Sequence, residues 1–378
     1  MSAAAPGHAR PQARTLGAAT LGLALGALLL GRTAAPAAMR RRRLPGTAPP
    51  PDDAGRPDAR HRPAHAGALR DVYRDGPAPA ALQACRLYEA AALLAASVLS
   101  DSALEHYRGG FENPGMFAPL ASAAVVLACA LRAARRSRAG LHDGNVNPSL
   151  ETRPVRSGTP GRTDAPVTNG PQAIPYATAC AVGAAGLGFH AYNVLRRPGG
   201  LSWGNLFYAA PLGAPAALAL AGVIGLAARP VAHGAPTLVG LPSGRALCAL
   251  AAFGIAGTSA EAALLHFRGA FQHPAMWLPV SIPPAAALML AGAAVSDRPR
   301  APRLASPLLR ACTWLGLIGV GFHTRGIARQ MGGWRNWSQN LLAGPPLPAP
   351  PSFSALALAG RAALALRAAQ LGSVRETA

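Results

Sequence analysis

Most apolar residues of this chain fall into blocks of about 16 to 25 residues, separated by stretches that carry arginine and proline. A membrane-spanning helix needs roughly 20 predominantly apolar residues. Hydrophobic residues make up 51% of the 378 residues and charged residues only 13%, which argues against a disordered chain and against a soluble enzyme. The blocks therefore predict an all-α integral membrane protein.

Two parts of the chain repeat the same motifs. Residues 106–119 read HYRGGFENPGMFAP and residues 266–279 read HFRGAFQHPAMWLP, with seven of fourteen positions identical. Residues 188–190 and 321–323 both read GFH, and each triplet is followed by an arginine, a Gly-Gly pair, Asn-Leu and a proline-rich stretch. Two matched motifs in the same order indicate an internal duplication.

Each copy contains four apolar segments of roughly the length of a membrane span. In the first copy they cover residues 82–102, 115–131, 176–195 and 205–228, and in the second copy they cover residues 246–266, 275–295, 308–324 and 340–368. We therefore predict two parallel internal repeats of four transmembrane helices each, in residues 81–230 and 244–370. An even number of spans gives both repeats the same orientation, related by an axis along the membrane normal.

Residues 1–80 precede these repeats and differ from them in composition. An apolar run at 16–31 is followed by the arginines of residues 40–43, which favours a short signal anchor and a possible ninth span. A cleaved signal peptide and a translation start at Met39 are the alternatives. Residues 44–80 are rich in proline, alanine and arginine and are predicted to be a disordered linker.

The arginines predict an orientation in the membrane. The chain has no lysine, so all 36 basic residues are arginine, and its formal net charge is +21. The segments joining spans two and three, four and five, and six and seven carry thirteen arginines, against seven in the opposite loops. The arginine excess marks the cytoplasmic side, so the C-terminus and a linker at 137–172 are predicted to be cytoplasmic. Because the arginines flank apolar blocks, the predicted partner is the lipid bilayer and not a nucleic acid.

We expect a multi-pass protein of a bacterial inner membrane, because the absence of lysine suggests a G+C-rich genome. The predicted orientation brings the repeated motifs together at the extracytoplasmic face. The candidate ligand-binding residues are His106, Arg108, His190, Arg196, Asn205, His266, Arg268, His323, Arg329 and Asn340.

Two acids support this candidate site. Asp101 and Glu261 each lie five residues before the first histidine of their copy, which offsets acid and imidazole by about 140° on a helix. An acid near membrane depth needs a partner, and we expect an arginine or histidine of another span to supply it.

Proline in the fourth span of each copy favours a solute-binding function. Residues 205–215 contain two prolines and residues 340–351 contain five. Interrupted helices at matching positions of two repeats are typical of transporter sites. The neighbouring arginines would attract an anion and the asparagines would orient it. We therefore predict binding or transport of a small polar or anionic solute, with no cofactor, and favour this over catalysis.

Two other functions remain open, beside a purely structural role as interfacial turns. His106, His190, His266 and His323 could ligate haem b or a transition metal in a membrane redox protein. An acid, a histidine and an arginine could instead modify a lipid headgroup. No recognised nucleophile, metalloprotease or nucleotide motif accompanies them in the sequence.

Overall fold

The computed structural model describes residues 80–142, 170–208, 211–297 and 300–376. This part of the chain contains eight long helices, two short helices and one small hairpin. The helices are α1 (Ala80–Arg108), α2 (Phe117–His142), α3 (Ile174–Leu195), α4 (Trp203–Tyr208), α5 (Gly213–Ala232), α6 (Ser243–Arg268), α7 (Ile282–Val295), α8 (Arg300–Ala328), α9 (Trp337–Ala343) and α10 (Pro351–Glu376). Strands β1 (Thr237–Leu238) and β2 (Leu241–Pro242) pair antiparallel, with Thr237 opposite Pro242. The 3-10 turns are Pro114–Met116, Pro171–Ala173, Pro274–Val280 and Gly333–Asn336.

Six stretches of helix among the described residues are long and apolar enough to cross a membrane, so the chain is an all-α membrane protein. They are Ala80–Arg108, Pro114–Ala139, Gly213–Ala232, Ser243–Arg268, Pro274–Val295 and Pro302–Ala328. Helices α3 and α10 have 22 and 26 residues and pack among these six. The predicted signal anchor at 16–31 lies outside the described residues.

The helices follow the predicted apolar segments and extend beyond several of them. The shortest segments, 115–131 and 308–324, belong to α2 and α8, which have 26 and 29 residues. Helix α2 continues to His142, six residues into the predicted linker at 137–172. Alanine and arginine are strong helix formers, which explains why the helix continues past its apolar part.

The same pairs of helices pack together in each half. In the first half α1 and α3 each contact α2 and α5, and in the second half α6 and α8 each contact α7 and α10. Each half is therefore a four-helix bundle whose first and third helices lie on a diagonal. The halves meet mainly along α1 and α10, and α5 contacts α6.

Small residues allow the helices to approach closely, as is common between helices in lipid. A Cβ on Gly183 of α3 would lie 2.7 Å from the carbonyl oxygen of Pro215 on α5. A Cβ on Gly316 of α8 would lie 2.8 Å from the carbonyl oxygen of Pro350. Large apolar side chains such as Phe253 are exposed on the outer surface of the bundle, as expected for a surface that faces lipid.

Candidate functional site

The two H-x-R-G stretches form the same turn after α1 and after α6. His106 Nδ1 donates to the carbonyl oxygen of Met116 at 2.7 Å, and His266 Nδ1 donates to the carbonyl oxygen of Met276 at 2.8 Å. Phe111 and Phe271 both have positive φ angles, 49° and 46°, in the left-handed region that non-glycine residues seldom occupy. The matched histidines therefore hold matched, strained turns.

Aromatic rings stabilise these turns. The ring of Phe111 stacks on Phe117 at 4.6 Å between centroids, and the ring of Phe271 stacks on Trp277 at 4.1 Å. Each phenylalanine also presents an edge-to-face contact to the histidine of its own turn, with centroids 6.2 Å apart. This packing offsets the backbone strain at the two phenylalanines.

The fourth apolar segment of each half is discontinuous. Helix α4 ends at Tyr208 before α5 begins, and α9 ends at Ala343 before α10 begins. His190 Nδ1 donates to the carbonyl oxygen of Pro211, and His323 Nδ1 donates to that of Pro346 at 2.6 Å. A break in a helix leaves carbonyls without their intrahelical donors, and in each half a histidine from the third long helix satisfies one of them.

These hydrogen bonds fix the tautomer of all four histidines. A carbonyl oxygen can only accept, so Nδ1 of each ring carries the proton, and in the neutral ring Nε2 keeps an available lone pair. His106 and His190 lie close enough to interact electrostatically, as do His266 and His323. Each half thus places two predicted histidines, from the first and third helices of its bundle, within electrostatic range of each other.

The predicted asparagines hold the Gly-Gly turns. Asn205 Nδ2 donates to the carbonyl oxygens of Pro198 and Gly200 at 3.1 and 2.7 Å. Asn340 Nδ2 donates to the equivalent turn at 3.2 and 2.8 Å, and its side chain is buried. Their amide groups bind backbone, so their direct role is to shape the turn before each helix break.

The two acids lie where the halves meet. Glu261 Oε1 accepts a hydrogen bond from the backbone N–H of Gly213, the first residue of α5, at 3.1 Å. We expected an arginine or histidine partner, but the helix break exposes backbone N–H groups that a carboxylate can cap. Asp101 on α1 is within electrostatic range of Glu261 on α6, so the acids of the two halves approach each other.

Ser97 belongs to this region, and the sequence motifs did not identify it. Its hydroxyl donates to the carbonyl oxygen of Pro348 at 2.5 Å and lies 3.0 Å from the hydroxyl of Ser352. Ser97 precedes Asp101 by one helical turn, so the two residues share one face of α1. This spacing is the sequence feature that could have identified Ser97. The first half therefore contacts the break in the second half, just as Glu261 contacts the break in the first.

Arg108 and Arg268 each lie beside the short helix of the other half. Arg268 donates to the carbonyl oxygen of Phe207 at 3.2 Å, and its guanidinium lies 4.8 Å from the ring centroid of Tyr208 on α4. Arg108 pairs with Glu105 at 2.7 Å and faces α9 across an open cavity of about 390 Å³. That cavity is lined by Tyr107, Arg108, Ser338, Gln339, Leu342 and Ala343.

The other two predicted arginines, Arg196 and Arg329, are on the exposed surface. Arg196 is exposed and its guanidinium is 6.0 Å from the ring centroid of Tyr192, while Arg329 is exposed just after α8. Among the described residues, no group of three or more His, Cys, Asp or Glu side chains could hold a metal ion. The arrangement thus consists of paired histidines, facing acids and one arginine beside an open cavity.

Fold and geometry together define the class: an all-α membrane protein with polar groups gathered at two helix breaks. Comparisons with protein-family models, curated proteins and solved structures found no match to this chain.

Proposed function

We propose that this chain is a multi-pass inner-membrane protein of eight spans, built from two parallel repeats of four helices, with a cytoplasmic C-terminus. The support is that the same four helix pairs pack in each half and that matched histidines bond to matched carbonyls. The excess of arginine in one set of loops supports the orientation.

Within this architecture, we propose that the extracytoplasmic ends of the repeats bind or transport a small polar or anionic solute. One observation carries this function: the fourth apolar segment is interrupted in both halves, and polar side chains from both halves converge on the interruptions. Broken helices at a repeat interface expose backbone groups that can coordinate a solute. Irregular backbone inside a membrane is tolerated where it is buried in protein or lines a cavity.

The chemistry of the surrounding groups suits an anion. Arg108 lines the open cavity and bonds to Glu105 through Nη1 alone, so its other guanidinium N–H groups can serve an anion, and Ser338 and Gln339 supply neutral donors opposite it. The acids at the half interface, Asp101 and Glu261, are ionisable groups next to this path. Acids inside membranes commonly relay protons. A proton shared or exchanged between these two acids would couple to the movement of an anion.

The test uses equilibrium binding and uptake of radiolabelled phosphate, sulfate and acetate by the full-length protein in proteoliposomes. We expect at least one of these anions to bind, and His106→Ala and His266→Ala to weaken the same activity about tenfold or more. His233→Ala is the matched control, because His233 also bonds to a backbone carbonyl, at 2.9 Å, but at the far end of α5. No binding of any of the three anions, or equal activity in all variants, would reject the proposal.

A second candidate function is haem or metal binding, and one observation favours it. In each half, two histidines have Nδ1 bonded to a carbonyl and Nε2 available as a ligand, which is the usual arrangement of an imidazole that binds metal. An absorption spectrum and metal analysis of the protein in mild detergent test this function. A Soret band or stoichiometric metal, lost in His106→Ala and His190→Ala, would favour it over solute binding.

A further inference from the structure

A second cavity lies at the opposite end of the first bundle from the histidine motifs. It has a volume of about 220 Å³ and is surrounded by the start of α1, the end of α2, the start of α3 and the end of α5. Its lining residues are Tyr88, Cys129, Arg132, Ala133, Arg136, Gln172, Ala173, Pro175, Tyr176, Gly225, Leu226 and Arg229. We call it the arginine cavity.

The charged side chains that line the arginine cavity are all positive. Three arginines line it, and among its lining residues there is no acidic side chain. Arg132 and Arg136 are spaced four residues apart on α2, where two like charges repel each other and destabilise the helix. Neither of these two forms an ion pair within the part of the chain that the structure describes. A bound anion would offset that repulsion.

The rest of the cavity is apolar and aromatic. The rings of Tyr88 and Tyr176 lie 6.4 Å apart between centroids, and the Tyr88 hydroxyl is within electrostatic range of Arg229. Alanine, proline and leucine side chains form much of the remaining lining. Apolar walls beneath a rim of arginines suit a molecule that combines an anionic head with an apolar tail.

The second half does not repeat the arginine cavity. If the matched motifs are extended without gaps, Gly292 and Ser296 correspond to Arg132 and Arg136, and Leu364 corresponds to Arg229. The duplicated helices are therefore shared by both halves, whereas this set of arginines belongs to the first half alone. If these arginines served only to attract the chain to an anionic bilayer surface, they would not need to be confined to one half.

We propose that the arginine cavity binds a phosphate group, carried by an anionic lipid whose acyl chains follow the apolar walls. Arginine guanidinium groups bind phosphate oxygens through paired, charge-assisted hydrogen bonds, and basic pockets between membrane helices bind anionic headgroups. The cavity lies toward the starts of α1 and α3 and the ends of α2 and α5, and the ends of spanning helices are the parts nearest the headgroup region of a bilayer. This site is separate from the proposed solute site and does not depend on it.

The experiment measures lipid binding by the full-length protein in mild detergent. Dioleoyl phosphatidylglycerol is titrated against dioleoyl phosphatidylcholine, and retained lipid is counted by native mass spectrometry, while inorganic phosphate is titrated separately by calorimetry. We expect phosphatidylglycerol to bind, and Arg132→Gln and Arg136→Gln each to weaken it about tenfold, since each loses a charge-assisted contact. Arg135→Gln is the control, because Arg135 is exposed on the same helix but does not line the cavity.

Each other outcome is informative. If Arg135→Gln weakens phosphatidylglycerol binding as much as Arg132→Gln does, the attraction is a general effect of surface charge and the site is rejected. If inorganic phosphate binds with the same dependence on Arg132 and Arg136 while phosphatidylglycerol does not, the phosphate site stands and the lipid source is rejected. Arg132→Lys keeps the charge and loses the paired geometry, so full retention of binding in that variant would contradict paired hydrogen bonding.

Discussion

At the scale of single residues, the histidine that bonds to the helix break is the clearest contributor to the stability of the fold. His323 Nδ1 donates to the carbonyl oxygen of Pro346 at 2.6 Å in a partly buried setting. We expect His323→Ala to lower the free energy of unfolding by about 1–3 kcal/mol, because it leaves that carbonyl without a donor. Thermal unfolding of the purified protein in detergent measures the change.

The matched control for this prediction is His233→Ala. His233 makes the same kind of bond, to the carbonyl oxygen of Arg229, but at an exposed position where water can replace the ring. We expect His233→Ala to leave the unfolding midpoint nearly unchanged. Equal losses in the two variants would mean that the bond in the break has no special importance for stability.

Asp297, in the connection between α7 and α8, gives a pH-dependent prediction. It accepts a hydrogen bond from Arg245 at 2.9 Å and another from Arg367, so it links the start of α6 to α10. The bond from Arg245, with the bond and charge of Arg367, holds the pKa of Asp297 below its usual value of about 3.9. An acid whose pKa is lowered in the folded state stabilises the fold at pH values above its usual pKa. That stabilisation is lost as the pH falls through the lowered pKa.

We therefore expect the wild type to lose more stability than Asp297→Asn as pH is lowered from 5 toward 3. The effect should be small and should shrink with added salt, because the carboxylate is largely exposed. Unfolding midpoints of both proteins across this pH range measure it. Parallel pH profiles for the two proteins would show that the bridges do not stabilise the fold.

At the scale of helices, close packing through glycine is testable within a single helix. Gly183 and Gly188 both lie in α3, but a Cβ at Gly183 would lie 2.9 Å from Ala219 Cα, whereas nothing lies within 4 Å of a Cβ at Gly188. We expect Gly183→Ala to destabilise the protein by about 1–3 kcal/mol through overpacking. Gly188→Ala should be neutral or slightly stabilising, because alanine is the better helix former.

The second half offers the same pair. A Cβ at Gly316 of α8 would collide with α10, and nothing lies within 4 Å of a Cβ at Gly321. The same contrast in unfolding midpoints is expected there. If Gly316→Ala and Gly321→Ala behave alike, the close approach of α8 and α10 is not a feature of the folded protein.

The sequence predicted the helices well and their contacts poorly, for a physical reason. Apolar length alone determines where helices can cross lipid, so α1 and α6 fall on the predicted segments 82–102 and 246–266. Whether a proline run kinks a helix or splits it depends on what satisfies the freed backbone groups. Those groups are satisfied by residues far away in sequence, such as Glu261 at the start of α5, and composition does not reveal them.

The sequence motifs carry only part of the information about the candidate site, for the same reason. The repeated sequence motifs contain the four histidines, but they could not show that each ring donates to a backbone carbonyl or that Asn340 holds a turn. The repeated motifs do not include the arginine cavity, because Arg132 and Arg229 have no counterparts in the second half. A repeat reveals what two halves share, and features found in only one half require the tertiary structure.

At the scale of the whole molecule, the proposed parallel repeats make a prediction about sidedness. Four spans in each repeat return the chain to the side where it began, so the turns after α1 and α6 should lie on the same side of the membrane. Glu112 and Gln272 are exposed in these two turns, and Ala139 is exposed near the end of α2, one span further on. Cysteine at these positions, in a background without the five native cysteines, can be tested with an impermeant thiol reagent.

We expect Glu112→Cys and Gln272→Cys to be labelled from the extracytoplasmic side of intact cells, and Ala139→Cys only after the membrane is opened. The excess of arginine on the α2–α3 side predicts this direction. Labelling of Glu112→Cys and Gln272→Cys from opposite sides would reject parallel repeats, because an odd number of spans would then separate the two turns. Labelling of both turns only from the cytoplasmic side would keep the repeats and reverse the protein, which would put the arginine cavity in the outer leaflet and the proposed solute site inside the cell.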